Sequence, residues 1–211
     1  MVVEPVVLAG LHVRLEPLSL DHHAGLCEVG LDEDLLQWTE SYEPTPDGLR
    51  AYIEAALRMQ AEGTALPFAV ISKATARPIG STRYGNIDRT HRRVEIGWTW
   101  YARPWQRTAV NTETKYLLLR HAFGTLGCIR VEFKTDALNE RSRKALLRIG
   151  AKEEGVFRHH MLLPSGRIRD TVYFSIIDDE WPAVKAHLEG LLARRYGDAR
   201  GLQGEQGILG Q

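Results

Sequence analysis

Two stretches carry residue types that could do chemistry. In RVEIGWTWY, residues 93–101, strict alternation sends Val94, Ile96, Trp98 and Trp100 to one face and Glu95, Gly97, Thr99 and Tyr101 to the other. A carboxylate thereby shares a face with two hydroxyls, and a carboxylate can accept a proton directly or through water. The second stretch is WQRTAVNTETKYLLL, residues 105–119, a polar run with no glycine or proline that leads straight into an apolar helical pattern. A helix N-terminus offers unpaired N–H groups and a positive partial charge, so QRTAVN, residues 106–111, is a candidate phosphate cradle. A plain strand-to-helix connection capped by Thr108 would read the same way. Neither Gly-x-Gly-x-x-Gly nor Gly-x-x-x-x-Gly-Lys-Ser/Thr occurs, which disfavours dinucleotide and P-loop binding.

These residues need a particular frame. The strand ending near Tyr101, a helix over 108–125 and the strand from Ile129 form a β-α-β unit, which favours a parallel pair. Elsewhere the connections are short. Strands are expected at 11–16, in PFAVIS, in PIGSTRYGNI and on both sides of the turn PSG at 164–166. Helices are expected in SLDHHAGLCEVG, with Ser19 or Asp21 as cap and Gly30 as stop, and in PTPDGLRAYIEAALRMQAEG, with Asp47 as cap. NERSRKALLRIG, capped by Asn139, and DDEWPAVKAHLEGLLARR supply two more. The expectation is an α/β fold: a mixed, mostly antiparallel sheet of about seven strands, helices on both faces and one parallel crossover. In such sheets ligands favour the crevice beyond strand C-termini, where residues 106–111 would sit.

The 211 residues fit one domain over 1–196, followed by a flexible tail over 197–211 with glycine at 201, 204, 207 and 210. Formal charge is zero and the isoelectric point near 7.1, without the basic excess of a nucleic-acid binder. No apolar run approaches the roughly 18 residues of a membrane span, and Cys27 and Cys128 read as buried thiols in a reducing cytoplasm. Histidines 22, 23, 159 and 160 have no zinc spacing, so no metal is expected. Local charge is uneven: residues 28–49 hold seven acids and no Lys or Arg, whereas 134–169 hold nine Lys or Arg against four acids.

The run from Val94 to Met161, with GRIRDTVYFSI after it, resembles the GNAT superfamily of acetyl-CoA-dependent N-acetyltransferases, and within it the RimJ/RimL-like branch, which includes ribosomal-protein N-terminal acetyltransferases. The resemblance implies acetyl-CoA as donor, with Gln106, Arg107, Thr108, Ala109, Val110, Asn111 and Thr112 around its pyrophosphate. It further implies that the backbone of Thr99, Trp100 and Tyr101 pairs with the pantetheine, and that Asn139 and Ser142 lie beside it. Arg107, Ala109 and Asn111 stand where the family often has glycine, which N–H binding tolerates as long as the turn needs no positive φ.

On this resemblance Glu95 is the candidate general base, because an acceptor amine arrives protonated at neutral pH. A cross-strand ion pair with Arg83 or another arginine is the competing role for Glu95. Ser142 is the candidate acid for the coenzyme A thiolate, with Asn139 orienting the donor and Tyr173 a weaker alternative. The expected activity is acetyl transfer to a primary amine by direct attack in a ternary complex. The alternative is a silent acyl-CoA-binding module. The acidic segment points to a cationic acceptor or a basic protein N-terminus. A homodimer is a further expectation from the family.

Overall fold

The strands are β1 (Leu8–Ala9), β2 (Val13–Pro17), β3 (Leu66–Ser72), β4 (Pro78–Asp88), β5 (Arg93–Tyr101), β6 (Arg130–Asp136), β7 (Lys152–Leu162) and β8 (Ile168–Ile177). They form one sheet in the order β1-β2-β3-β4-β5-β6-β8-β7, with β5 and β6 parallel and every other neighbouring pair antiparallel. The eighth strand, beyond the seven expected, is the two-residue β1, too short to leave a periodic pattern. This is a computed structural model, and it describes residues 1–38 and 41–196; the expected tail from 197 lies outside the described residues.

The described residues also form six α-helices: α1 (His23–Gly30), α2 (Glu33–Leu36), α3 (Pro46–Ala61), α4 (Ala109–Gly124), α5 (Glu140–Arg148) and α6 (Trp181–Tyr196). They cover the sheet from two sides. One core joins Leu117, Leu118 and Ala122 of α4 and Leu188 of α6 to Phe68, Val94, Ile96, Phe133 and Phe174 of the sheet. The other joins Leu26 of α1 and Leu49, Ile53 and Ala56 of α3 to Ala69, Ile71 and Trp100. The cap of α3 is Thr45, whose Oγ1 accepts from the Gly48 N–H; Asp47 sits inside the first turn, because Pro46 takes the first helical position.

Glu113 of α4 has a structural role that the pattern did not reveal. Its carboxylate, 4% exposed, accepts from the backbone N–H groups of Leu11, His12 and Val13 at 2.7, 2.7 and 2.8 Å. It thereby ties the β1–β2 hairpin to the helix.

Two irregularities in β5 shape the site. The pairings Ser81 with Trp100 and Arg83 with Gly97 leave one extra residue on β5, a bulge at which Trp98 takes φ 49°. The bulge overturns the strict alternation expected over 93–101. Val94 and Ile96 face α4, but beyond the bulge it is Thr99 and Tyr101 that turn that way, Thr99 reaching Lys115 of α4 and Tyr101 joining the α4 core. Trp98 and Trp100 pack on the α1 and α3 side. Glu95 therefore does not share its face with the two hydroxyls. The second irregularity is a splay: β5 and β6 pair only over Arg93–Glu95 and Arg130–Glu132, although both strands run on to Tyr101 and Asp136.

Candidate active site

The splay opens a cavity of about 530 Å³ between the C-terminal halves of β5 and β6, the entrance to α4, and α5. Of the residues singled out in the sequence, Glu95, Thr99, Trp100, Tyr101, Gln106, Arg107, Thr108, Asn111, Asn139 and Ser142 line it. Ala109, Val110 and Thr112 do not. Their side chains are buried in the protein, and Thr112 Oγ1 accepts from Arg148, so only their backbone could face a ligand. The helical periodicity that buries the α4 stripe turns these three positions inward.

The approach to α4 is held by side chains. Thr108 caps the helix, accepting from the Val110 N–H and donating to the Trp105 carbonyl. Gln106 donates to the Tyr101 carbonyl at 3.0 Å and accepts from Arg141 of α5 at 2.8 Å, bridging the end of β5 to the next helix. That carbonyl, expected to meet pantetheine, is already bonded within the chain. Arg107 takes φ 62°, a left-handed conformation that glycine adopts without strain. The loop thus takes at Arg107 a positive φ, the condition under which glycine would be favoured there.

Asn139 is the N-cap of α5, its Oδ1 accepting from the Ser142 N–H at 3.0 Å, so its capping role is real and leaves the amide nitrogen for a ligand. Tyr173 does not line the cavity. Its ring packs at a tilt against Phe157, centroids 4.5 Å apart, and carries Lys134 over its face.

Glu95 is 4% exposed and reaches the cavity. Its Oε2 accepts from Asn86 at 2.6 Å and forms an ion pair with Lys134 at 2.8 Å. Its Oε1 carries no hydrogen bond among the described residues and points past Gly97, where a Cβ would lie 3.0 Å from it. Arg83, the partner considered from sequence, is instead buried between the rings of Tyr52 and Trp98 at 4.7 and 5.1 Å. The pair with Lys134 is compatible with a role in proton transfer because it engages only one oxygen.

Lys115 was not singled out in the sequence, since position 115 reads as one more polar residue of an amphipathic helix. The structure buries it in the cavity wall, where Nζ donates to Thr99 Oγ1 at 3.0 Å and sits 5.5 Å from the Phe133 ring. Burial pulls its pKa down to about 7, only partly opposed by the charge of Glu95.

Sequence comparison decides what this cavity belongs to. The acetyltransferase (GNAT) domain profile matches residues 12–152. The chain belongs to the GNAT acetyltransferase family. It is 34% identical over 100 residues to YdaF of Bacillus subtilis, provisionally named a ribosomal N-acetyltransferase, an alignment that spans 47% of this chain and 54% of that protein. A crystal structure of a GCN5-related N-acetyltransferase from Brucella melitensis superimposes with TM-score 0.84 at 33% identity, covering 90% of this chain and 87% of the other. Mycobacterium smegmatis RimJ, solved with CoA-disulfide, shares the fold at 22% identity, with TM-score 0.78 and coverage of 90% and 96%.

GNAT acetyltransferases draw on acetyl-CoA, and the cavity fits such a donor. Arg107, Arg141, Lys144 and Arg148 line it together, a cationic set suited to phosphates. Arg148 Nη1 is buried without a hydrogen-bond partner. Among the described residues no group of three or more His, Cys, Asp or Glu could hold a metal ion, and no helix is long and apolar enough to cross a membrane. Cys128 is buried, but Cys27, expected to be buried too, is only half-buried, its Sγ 3.3 Å from His23 Nε2.

The acidic segment of this GNAT chain is less open than its sequence implied. Asp32 and Asp34 both accept from Arg103, in the turn before the α4 approach, and Glu28 pairs with Arg77. The cations that pair with Glu28, Asp32 and Asp34 come from elements distant in sequence.

Proposed function

We propose that this protein transfers acetyl from acetyl-CoA to a primary amine, with Glu95 as the proton acceptor. The observation that carries the reading is the unbonded Oε1 of Glu95, aimed into the same cavity that the capped N-terminus of α4 enters. Bound acetyl-CoA supplies the activated acetyl thioester. Residues 106–112 and the cations of α5 hold its phosphates, and Asn139 and Ser142 stand along the same wall.

The protein's own part is to receive an ammonium group and strip one proton from it. Lys134 and Asn86 fix the Glu95 carboxylate through Oε2, so Oε1 is oriented before any substrate arrives. The name given to YdaF makes ribosomal proteins one class of acceptor to try, together with small-molecule amines.

The test is the Glu95→Gln variant, which keeps the side-chain shape and removes the base. Saturating acetyl-CoA should raise Tm by several degrees in both wild type and variant. Acetylation of an amine panel should fall by about 10²-fold in kcat in the variant alone. A variant with full kcat would put the base elsewhere, and wild-type protein indifferent to acetyl-CoA would sink the reading altogether.

A further inference from the structure

The end of the cavity beside Glu95 is built for a negative charge. Lys134, Arg167 and Arg169 gather there against Glu95 and Asp136. Each of the two carboxylates is already engaged: Glu95 by Lys134 and Asn86, Asp136 by Arg167 at 2.6 Å and by the Leu138 N–H at 2.9 Å. Lys134 and Arg167 are thereby matched. Arg169 is the cation left over.

Arg169 comes from β8, two positions before Thr171, which pairs with the last residue of β6, and it lines the cavity with Met161. It makes no ion pair or hydrogen bond to any described residue, and its Nε is buried without a partner. Solvent does not reach that nitrogen, so water does not complete it. Burial pulls the guanidinium below its ordinary pKa, and the charge of Asp136 only partly restores it. A half-buried guanidinium with an orphaned N–H is unfavourable as it stands and is satisfied by a ligand oxyanion presenting two oxygens.

We infer that the acceptor amine carries an oxyanion, a carboxylate or a phosphate, which Arg169 holds while the amine meets Glu95. The pairing with Glu95 rests on the function proposed above; the oxyanion site itself does not. This differs from the cationic acceptor expected from sequence: Glu28, Asp32 and Asp34 of the acidic segment are bonded to Arg77 and Arg103, and the unmatched charge at this end of the cavity is positive. Arg169 then determines acceptor specificity: an amine lacking the anion leaves the guanidinium unpaired in a desolvated site.

The experiment titrates matched probes calorimetrically into the full chain saturated with coenzyme A. One pair is propylamine and β-alanine, the other ethanolamine and O-phosphoethanolamine. In each pair the members differ by a single anionic group. The wild type should bind at least one anionic member about tenfold tighter than its neutral partner, and which pair shows it tells carboxylate from phosphate. Arg169→Met should erase the preference, and Arg169→Lys, which keeps the charge and guards against misfolding, should retain part of it, with melting curves confirming that both are folded. Equal binding within both pairs, no binding of either anionic probe, or a preference intact in Arg169→Met would overturn the inference. Turnover with acetyl-CoA is read separately: an anion preference in binding with no acetylation of any amine would sink the proposed activity and leave the oxyanion site standing.

Discussion

Lys115 on the second turn of α4 donates its Nζ proton to Thr99 Oγ1 at 3.0 Å, and Thr99 in turn shares a 2.8 Å bond with Thr82. The bulge at Trp98 creates this contact, since without it Thr99 would face away from α4. Among the described residues no carboxylate bonds the ammonium, and Glu95 acts on it only as a nearby charge. Lys115 therefore exchanges its proton near neutral pH.

A lysine whose folded pKa is about 7, against an ordinary value of 10.5, makes stability depend on pH. Between those values the unfolded chain holds a proton that the folded chain lacks, so stability from this group rises with pH across that window and is flat below it. Lys115→Met removes the titrating group and the cost of burying it. The variant should melt higher than wild type at pH 6.5, and the gap should narrow by pH 8.5. Parallel melting curves at both pH values, with a constant gap, would show that Lys115 is not titrating in this range.

Gly10 and Glu113 are matched by shape. A Cβ at Gly10 would lie 2.4 Å from the Glu113 Cδ, which is closer than carbon atoms can pack. Gly10→Ala should push the carboxylate off the Leu11, His12 and Val13 N–H groups, and Glu113→Ala should leave all three without their acceptor. Each lost bond, one of them buried and two partly buried, costs on the order of 1 kcal/mol, so Glu113→Ala should lose about 3 kcal/mol in denaturant unfolding. A loss under about 1 kcal/mol would mean that water replaces the carboxylate.

Arg107 holds φ 62° without being glycine. A left-handed backbone costs an L-residue about 1–2 kcal/mol, of which glycine's extra freedom in the unfolded chain returns part. Arg107→Gly should raise Tm by about 2 °C, while loss of an exposed cation weakens acetyl-CoA binding roughly two- to fivefold. Calorimetry beside melting separates the two. A lower Tm would show that the arginine side chain, not the backbone, holds the loop.

The frame was legible because its signals are local. The caps at Thr108 and Asn139 and the apolar pattern of the helix that follows Thr108 all act within a few residues, and the β-α-β order follows from them. What the sequence withheld depends on pairing across strands. A bulge is set by register against β4, so nothing within RVEIGWTWY announces that Thr99 and Tyr101 change sides. Charge matching is likewise non-local: Asp32 finds Arg103 71 residues away, and Lys115 and Arg169 differ from other lysines and arginines only in what surrounds them after folding.

Gly97 gives the sharpest test of the carboxylate geometry, because the residue is absent from the chemistry and present in its clearance. It stands on β5 between Glu95 and the bulge, and an added Cβ would lie 3.0 Å from Glu95 Oε1, tighter than ordinary packing. Oε2 is pinned by Asn86 and Lys134, so the strain must fall on the oxygen that faces the cavity. Gly97→Ala should lower kcat for amine acetylation by about tenfold, as expected for a displacement of a few tenths of an ångström at a group that must meet a proton in line. Its acetyl-CoA affinity should be unchanged, because the α4 loop lies on the far side of the bulge, and its Tm should stay within a few degrees of wild type. A variant with unaltered kcat would mean that Glu95 reaches the amine by a route that does not pass Gly97, most simply through an intervening water.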